Sequence, residues 1–274
     1  MKRHISIIVA AIACIVLVSC TFHFDEETFG GKTVKGDGNI VTRSYDVTVF
    51  YEISSSLPAT VNFTVGDDYT CTVRVDENLL EYFEIKVDKD DLLLRKSDKH
   101  KNVNLRATEF VIDITAPGVE QINLAGSGTF NANSPLRGKE LEVNLAGSGD
   151  IFFKETVAYR GISLNVAGSG TLECVEIITD ELDANIAGSG ELNVLGGSVK
   201  EAEAGVAGSG DCNLACDIRQ LSANIAGSGD IIANVSDTLE YGIFGSGDIQ
   251  YYGDAVVKGD KVGGKVRKID ALQR

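Results

Sequence analysis

The sequence contains no tryptophan and only three histidines, His4, His23 and His100. It has no Cys-x-x-Cys pair, and no histidine lies near Cys71, Cys174, Cys212 or Cys216. Each shortage removes a class of function. Aromatics make up 7% of the chain, which leaves little material for the flat platforms on which sugar rings stack. A serine nucleophile needs an adjacent base, and none stands in the repetitive part of the chain. A zinc site needs clustered thiolate and imidazole ligands. Positive charge is also scarce: 25 Lys and Arg against 40 Asp and Glu give a formal charge of −15. Nucleic-acid phosphates are repelled by such a body. The expectation is therefore no catalytic residue, no cofactor, no metal and no nucleic-acid partner.

One long apolar run exists, Ile5 to Val18, interrupted by Ser6. It falls short of the roughly 20 residues a membrane span requires. Lys2-Arg3-His4 precede it and Leu17-Val18-Ser19-Cys20 close it. A basic start, an apolar middle and a small residue before the cut describe a secretory signal. The Leu-Val-Ser-Cys ending resembles a bacterial lipobox, which implies cleavage before Cys20 and lipidation of Cys20. Each buried acyl methylene would contribute roughly 0.8 kcal/mol to anchoring. Loss of Lys2 and Arg3 takes the formal charge from −15 to −17. Residues 1–19 thus read as a lipoprotein signal peptide and 20–36 as an acidic tether carrying Asp25-Glu26-Glu27. Acidic residues so soon after the cysteine resemble a surface-export signal of Bacteroidetes-type bacteria. The expected location is the bacterial cell envelope, lipid-anchored at the outer membrane and facing outward. The expected partners are the membrane, through the lipid, and an extracellular glycan or protein. Cys71, Cys174, Cys212 and Cys216 read as small buried hydrophobes, with an incidental disulfide as the alternative.

Glycine is plentiful, and its arrangement decides the architecture. Gly-Ser-Gly occurs seven times, starting at Gly126, Gly147, Gly168, Gly188, Gly208, Gly227 and Gly245. A repeat of about 20 residues signals a solenoid. Two residues before each first glycine stand Leu124, Leu145, Val166, Ile186, Val206, Ile225 and Ile243. The fourth and sixth positions before it are also apolar, apart from Glu120 in the first copy. Polar residues such as Gln121, Glu142, Asp183 and Glu203 occupy the fifth. Alternation resumes after the tripeptide, with Phe130, Ile151, Leu172, Leu192, Cys212, Ile231 and Ile249 in one row. Such alternation is a strand with one buried face. Each repeat is then a strand, a glycine corner, a strand and a connector. Stacked about 4.8 Å apart, the repeats form an all-β, right-handed parallel β-helix (β-solenoid) of seven to eight rungs. Gly263-Gly264 reads as a degenerate eighth corner, in a terminal rung whose lysines oppose end-to-end pairing.

Residues 37–117 read as a strand-rich N-terminal cap continuous with the solenoid, 118–267 as the repeat β-helix and 268–274 as a tail. Within the cap, Pro58–Val65 and Tyr69–Val75 alternate around Gly66-Asp67-Asp68 and read as a β-hairpin, with Val61, Phe63 and Val65 on one face. Asp76–Leu80 reads as one helical turn capped by Asp76. Tyr82–Val87 and Leu92–Arg95 flank a turn at Asp88–Asp91. Residues 96–104 read as a polar loop.

Val143-Asn144-Leu145-Ala146-Gly147-Ser148-Gly149-Asp150-Ile151 and Ala223-Asn224-Ile225-Ala226-Gly227-Ser228-Gly229-Asp230-Ile231, with the segment around Asp76-Glu77-Asn78-Leu79-Leu80, resemble the auto-transporter adhesin head GIN domain family. The resemblance spans roughly residues 39–267 in the family's order of motifs. Gly205 and Gly242 depart from it by replacing the Asn before the corner, and the last corner lacks its Ser-Gly. It implies a β-solenoid, secreted or lipid-anchored, with no catalytic residues to carry over. Three outward rows stand out. Asp150, Glu191, Asp211, Asp230 and Asp248 form a carboxylate row that reads as a solvated face, with calcium binding as the alternative. Asn123, Asn144, Asn165, Asn185 and Asn224 read as a hydrogen-bonded ladder. The corner serines read as structural. The expected function is a non-catalytic envelope lipoprotein whose solenoid surface serves adhesion or envelope interaction. The alternatives are a carbohydrate-binding or carbohydrate-active β-helix and a calcium-stabilised repeat.

Overall fold

A computed structural model of the chain describes residues 32–270. Cys20, the signal segment and most of the tether lie outside the described residues. The N-terminal part contains β1 (Thr33–Lys35), β2 (Ile40–Tyr45), β3 (Glu52–Ser55), β4 (Thr60–Val65), β5 (Thr70–Asp76), β6 (Phe83–Asp88), β7 (Asp91–Lys96), β8 (Asn104–Arg106) and β9 (Phe110–Ala116). The repeats supply β10 (Gln121–Gly126), β11 (Thr129–Ala132), β12 (Leu136–Gly147), β13 (Asp150–Gly168), β14 (Thr171–Gly188) and β15 (Glu191–Val194). They continue with β16 (Gly197–Gly208), β17 (Asp211–Gly227), β18 (Ile231–Gly245), β19 (Ile249–Tyr252), β20 (Val256–Gly263) and β21 (Val266–Lys268).

The repeats stack in parallel, corner upon corner. Gly126 pairs with Gly147, Gly147 with Gly168, Gly168 with Gly188, and so on to Gly245 with Gly263. The apolar rows become continuous buried stripes, and Leu124, Val143, Ile162, Leu172 and Val194 are all within 3% of full burial. The molecule is a β-solenoid, and the eighth corner joins it in register. The repeat shortens along the column, and the connectors absorb the loss. Phe153 pairs with Cys174 whereas Thr156 pairs with Glu176, so one residue is dropped between them. Between Leu214 and Asp217 two residues are dropped, and between Ile218 and Gln220 one is restored, for a net loss of one. The corners stay aligned throughout.

The corner chemistry explains the tripeptide. The N–H of Ser148 donates to the Gly126 carbonyl at 2.9 Å, and Ser169, Ser189, Ser209 and Ser228 donate to the glycine below at 2.8 Å. At Gly168 φ is +129°, and a Cβ there would lie 2.2 Å from the Gly147 carbonyl oxygen. Both the angle and the close approach demand glycine.

The solenoid begins before the first Gly-Ser-Gly. Strands β3 and β4 lie under β10 and β11, and the bend at 56–59 occupies the corner position. Below them lie β7 and β9, again in parallel. Antiparallel strands then close this end: β6 against β7, and β5 and β2 against β9 and β5. The expected hairpin between 58–65 and 69–75 does not form, because β9 is inserted between β4 and β5 and pairs with both. Val61 and Phe63 are buried, but Val65 is exposed, since β4 runs past the core beside Gly66. Within the expected tether, residues 33–35 are strand β1, paired with β8.

The helical turn is a 3₁₀ segment, Glu77–Tyr82, and Asp76 makes no side-chain cap bond to it. Fully buried Asp76 accepts instead from Gly38 N at 2.8 Å and Thr108 N at 2.7 Å. Burial opposes its ionisation, but the donors of Thr108, Gly38 and Glu109 outweigh burial and hold the carboxyl below the ordinary aspartate value. Asn78 adds bonds to Asp37 N and the Lys35 carbonyl, so this segment fastens residues 35–39 to the column.

Two tests follow from this packing. Gly168→Ala should cost about 3 kcal/mol or more in urea unfolding, whereas Gly126→Ala, with φ +96° and open space around the added methyl, should cost only about 1 kcal/mol. Asp76→Ala should lower stability by roughly 3 kcal/mol and expose residues 35–45 to protease. Because the folded value is depressed, the Asp76 contribution is complete above the ordinary aspartate value and is lost as pH falls through the lowered one.

Candidate functional site

The outward rows carry the polar side chains, and most of those bond from rung to rung. Asn144 donates to Asn123 at 3.0 Å, Asn165 to Asn144 at 3.0 Å and Asn185 to Asn165 at 3.2 Å. The ladder ends where Gly205 follows Asn185; Asn224 turns to Ser222. A second, shorter ladder runs from Asn131 through Asn62 to Asp113.

The carboxylate row is tied to backbone amides. Asp211 accepts from Asp230 N at 3.2 Å, Asp230 from Asp248 N at 2.7 Å and Asp248 from Lys265 N at 2.8 Å. Asp150 accepts from Thr171 N at 3.3 Å. Asp248 also pairs with Arg267 at 2.6 Å. Each of these carboxylates helps fasten one rung to the next. Among the described residues, no group of three or more His, Cys, Asp or Glu is arranged to hold a metal ion.

The four cysteines are buried and unpaired. Burial pushes the thiols of Cys71, Cys212 and Cys216 up to about 12, and that of Cys174 higher still. A thiol held protonated is a poor nucleophile and a poor metal ligand. His100 sits 3.0 Å from the Ser97 hydroxyl and 4.5 Å from the Tyr82 ring, far along the chain from the corner serines.

The concave feature of the column is a groove that sequence reasoning did not isolate. It follows the junction between connector and pre-corner strand, in two shallow hollows of about 370 and 340 Å³. Glu181 and Asp183 line both hollows and join them. The floor is the buried row Leu141, Ile162, Leu182, Ala202 and Leu221. The walls are acidic: Glu120, Glu140 and Glu142 at one end, Glu201, Glu203 and Glu240 at the other. The two wall rows were visible as polar positions flanking an apolar one. That this apolar row lies at the floor of a concave surface was not.

Charge crowding marks the groove. Burial first, then Glu181, raises the Asp183 carboxyl. Burial, Asp91, Asp90, Glu142 and Glu120 raise that of Glu52. The lining contains no Lys, Arg, His or aromatic residue. Such a surface attracts cations and cationic polymers. Paired carboxylates also serve glycoside hydrolysis, but here they lie in a shallow, open trough whose charged residues are all acidic.

Asp183→Asn should leave stability unchanged or raise it at neutral pH, because a raised folded value means that ionisation opposes folding. The advantage should shrink as pH falls through that raised value; urea unfolding at neutral and at acidic pH measures it.

Solved structures share this architecture. A crystal structure described as a putative lipid binding protein from Parabacteroides distasonis is 31% identical, with a TM-score of 0.84 over 87% of this chain and all of that one. A putative adhesin from Parabacteroides merdae is 27% identical, with a TM-score of 0.82 over the same shares. A putative adhesin from Bacteroides fragilis, at 19% identity and a TM-score of 0.65, shares the fold. No curated protein matches the chain. One family matches it twice, over residues 49–154 and 142–255, in overlapping registers that self-similar rungs permit. The chain therefore belongs to the family described as "Putative auto-transporter adhesin, head GIN domain".

Proposed function

We propose that this protein is a non-catalytic, lipid-anchored envelope protein that presents its solenoid as a binding column. The observation that carries the reading is how its polar groups are used. The Asn and Asp rows bond between rungs, the thiols are buried, and among the described residues no histidine stands beside a corner serine. What remains for recognition is shape, repeated polar rows and an acidic groove. The family's adhesin description supports this reading, as do relatives described as adhesins or as lipid binding. None of the described helices is long and apolar enough to cross a membrane; the proposed attachment is through acyl chains on Cys20. The outer membrane, facing the cell exterior, is the proposed site.

Mass spectrometry of the protein from envelope fractions should find an acylated N-terminal Cys20, and Cys20→Ser should move the protein to the soluble fraction. A glycan and matrix-protein array probed with the mature chain, with and without calcium, should give saturable binding and no turnover. Release of saccharide products would overturn the non-catalytic reading. A melting temperature lowered by chelator would favour a calcium-stabilised repeat instead.

A further inference from the structure

Positive charge is unevenly placed on this acidic chain. Residues 32–36 and 96–108 hold six cations, Lys32, Lys35, Lys96, Lys99, Lys101 and Arg106, against one carboxylate, Asp98. The topology joins the two stretches into one lobe. Strands β1 and β8 pair in parallel with Lys35 opposite Arg106, and Asn104 N donates to the Lys32 carbonyl at 3.0 Å. Val34 and Leu105 pack against the core, so Lys35 and Arg106 stand side by side on the outer face. Like charges at cross-strand positions weaken a sheet, and this sheet has only two short strands. Asp98 is engaged by Lys101 at 3.1 Å and Arg95 at 3.6 Å. Among the described residues, Lys32, Lys35, Lys96, Lys99 and Arg106 have no carboxylate partner. The basic terminal rung is partly neutralised, with Arg267 facing Asp248 and Lys268 facing Asp254 while among the described residues Lys258, Lys261 and Lys265 lack a carboxylate partner, and it lies at the end of the column away from the tether.

The lobe is also where the tether joins the column. Residue 32 opens the described chain, and the segment 20–31 reaches at most about 40 Å when fully extended. Whatever holds Cys20 therefore lies within about 40 Å of Lys32, near enough for this end of the column to reach the same surface.

The geometry points to an electrostatic footing, in which this lobe rests on the anionic, phosphate-bearing lipid headgroups of the membrane that holds the anchor. The inference rests on the lipid-anchor reading of Cys20. Acyl insertion and a polybasic surface reinforce one another. Each cation near an anionic bilayer strengthens binding roughly fivefold, within a Debye length. The same field repels the acidic flanks, so the column stands on this end and carries its grooved side away from the bilayer.

The test uses the mature chain with Cys20→Ser, so that no acyl chain contributes. Co-sedimentation compares vesicles of phosphatidylcholine with vesicles containing added phosphatidylglycerol. Salt-sensitive binding to the anionic vesicles alone is expected. Lys99→Glu with Lys101→Glu and Arg106→Glu should reduce it by at least a hundredfold, and Lys99→Gln with Lys101→Gln by roughly twenty-five-fold. Lys258→Glu with Lys265→Glu, at the far end, should leave it intact. Equal binding to both vesicle types, insensitivity to the lobe substitutions, or full displacement by inorganic phosphate at constant ionic strength would overturn the proposal. Acylation of Cys20 is read separately by mass, so a missing anchor and an inert lobe give different results.

Discussion

The bond from each corner serine N–H, from Ser148 onward, to the glycine carbonyl one rung below governs this structure. It draws the corner backbones so close that a Cβ on the stacked glycines would meet the glycine carbonyl below at 2.0–2.5 Å. Glycine is therefore a steric requirement at these positions. Once the corners are fixed, strand alternation sets which residues meet. Position two before the corner can only stack on position two, and a row of like residues becomes a buried aliphatic stripe. No single rung encloses a core, so the stability of each depends on its neighbours, as in other quasi-one-dimensional folds.

That dependence explains which parts of the fold were legible in the sequence. The rows from Leu124 to Ile243 and from Phe130 to Ile249 could be read because their partners sit one fixed period away. Gly263 was legible for the same reason, even without its Ser-Gly. The cap has no period. Its hairpin was misread because β9, some thirty-five residues beyond β5, takes the place between β4 and β5. No local pattern around Gly66 announces that insertion. Asp76 looked like a cap because it precedes a helical turn, while its true donors, Gly38 and Thr108, are remote in sequence. Strand β1 is three residues long, too short to alternate detectably. The groove was hidden for another reason. It lies within long, unbroken strands such as β13 and β14, and side-chain alternation reports which face is buried but not where that surface is concave.

The electrostatics follow from the same repetition. A period-locked column places like residues about 4.8 Å apart, so any ionised row repels itself by about 0.9 kcal/mol per neighbour in water. Two solutions coexist here. The row from Asp211 to Asp248 relieves the repulsion by accepting backbone N–H groups from the next rung. The groove does so only in part: Ser163 and Ser222 interrupt one wall, Gly161, Gln220 and Thr238 the other, and Glu52 and Asp183 still carry raised values. Repulsion that could have been removed by further serines has been retained along this side.

The shortening of the rungs bears on how such a surface can act. The register shifts in the repeats fall in the connectors, between Phe153 and Thr156 and between Leu214 and Gln220, except at the terminal corner, where Gly245 pairs with Gly263 but Ile249 with Val266. The pre-corner strands keep residue-for-residue register from Gln121 to Glu240, so the groove and the corner ladder stay straight while the connectors vary. A ligand lying along the axis meets equivalent side chains at every rung. Each contact is weak and exposed, but contacts in fixed register add without a further cost of assembly, which is the physics of multivalent attachment. Chemistry at one point requires a convergent pocket, whereas attachment along a line requires this constancy of register.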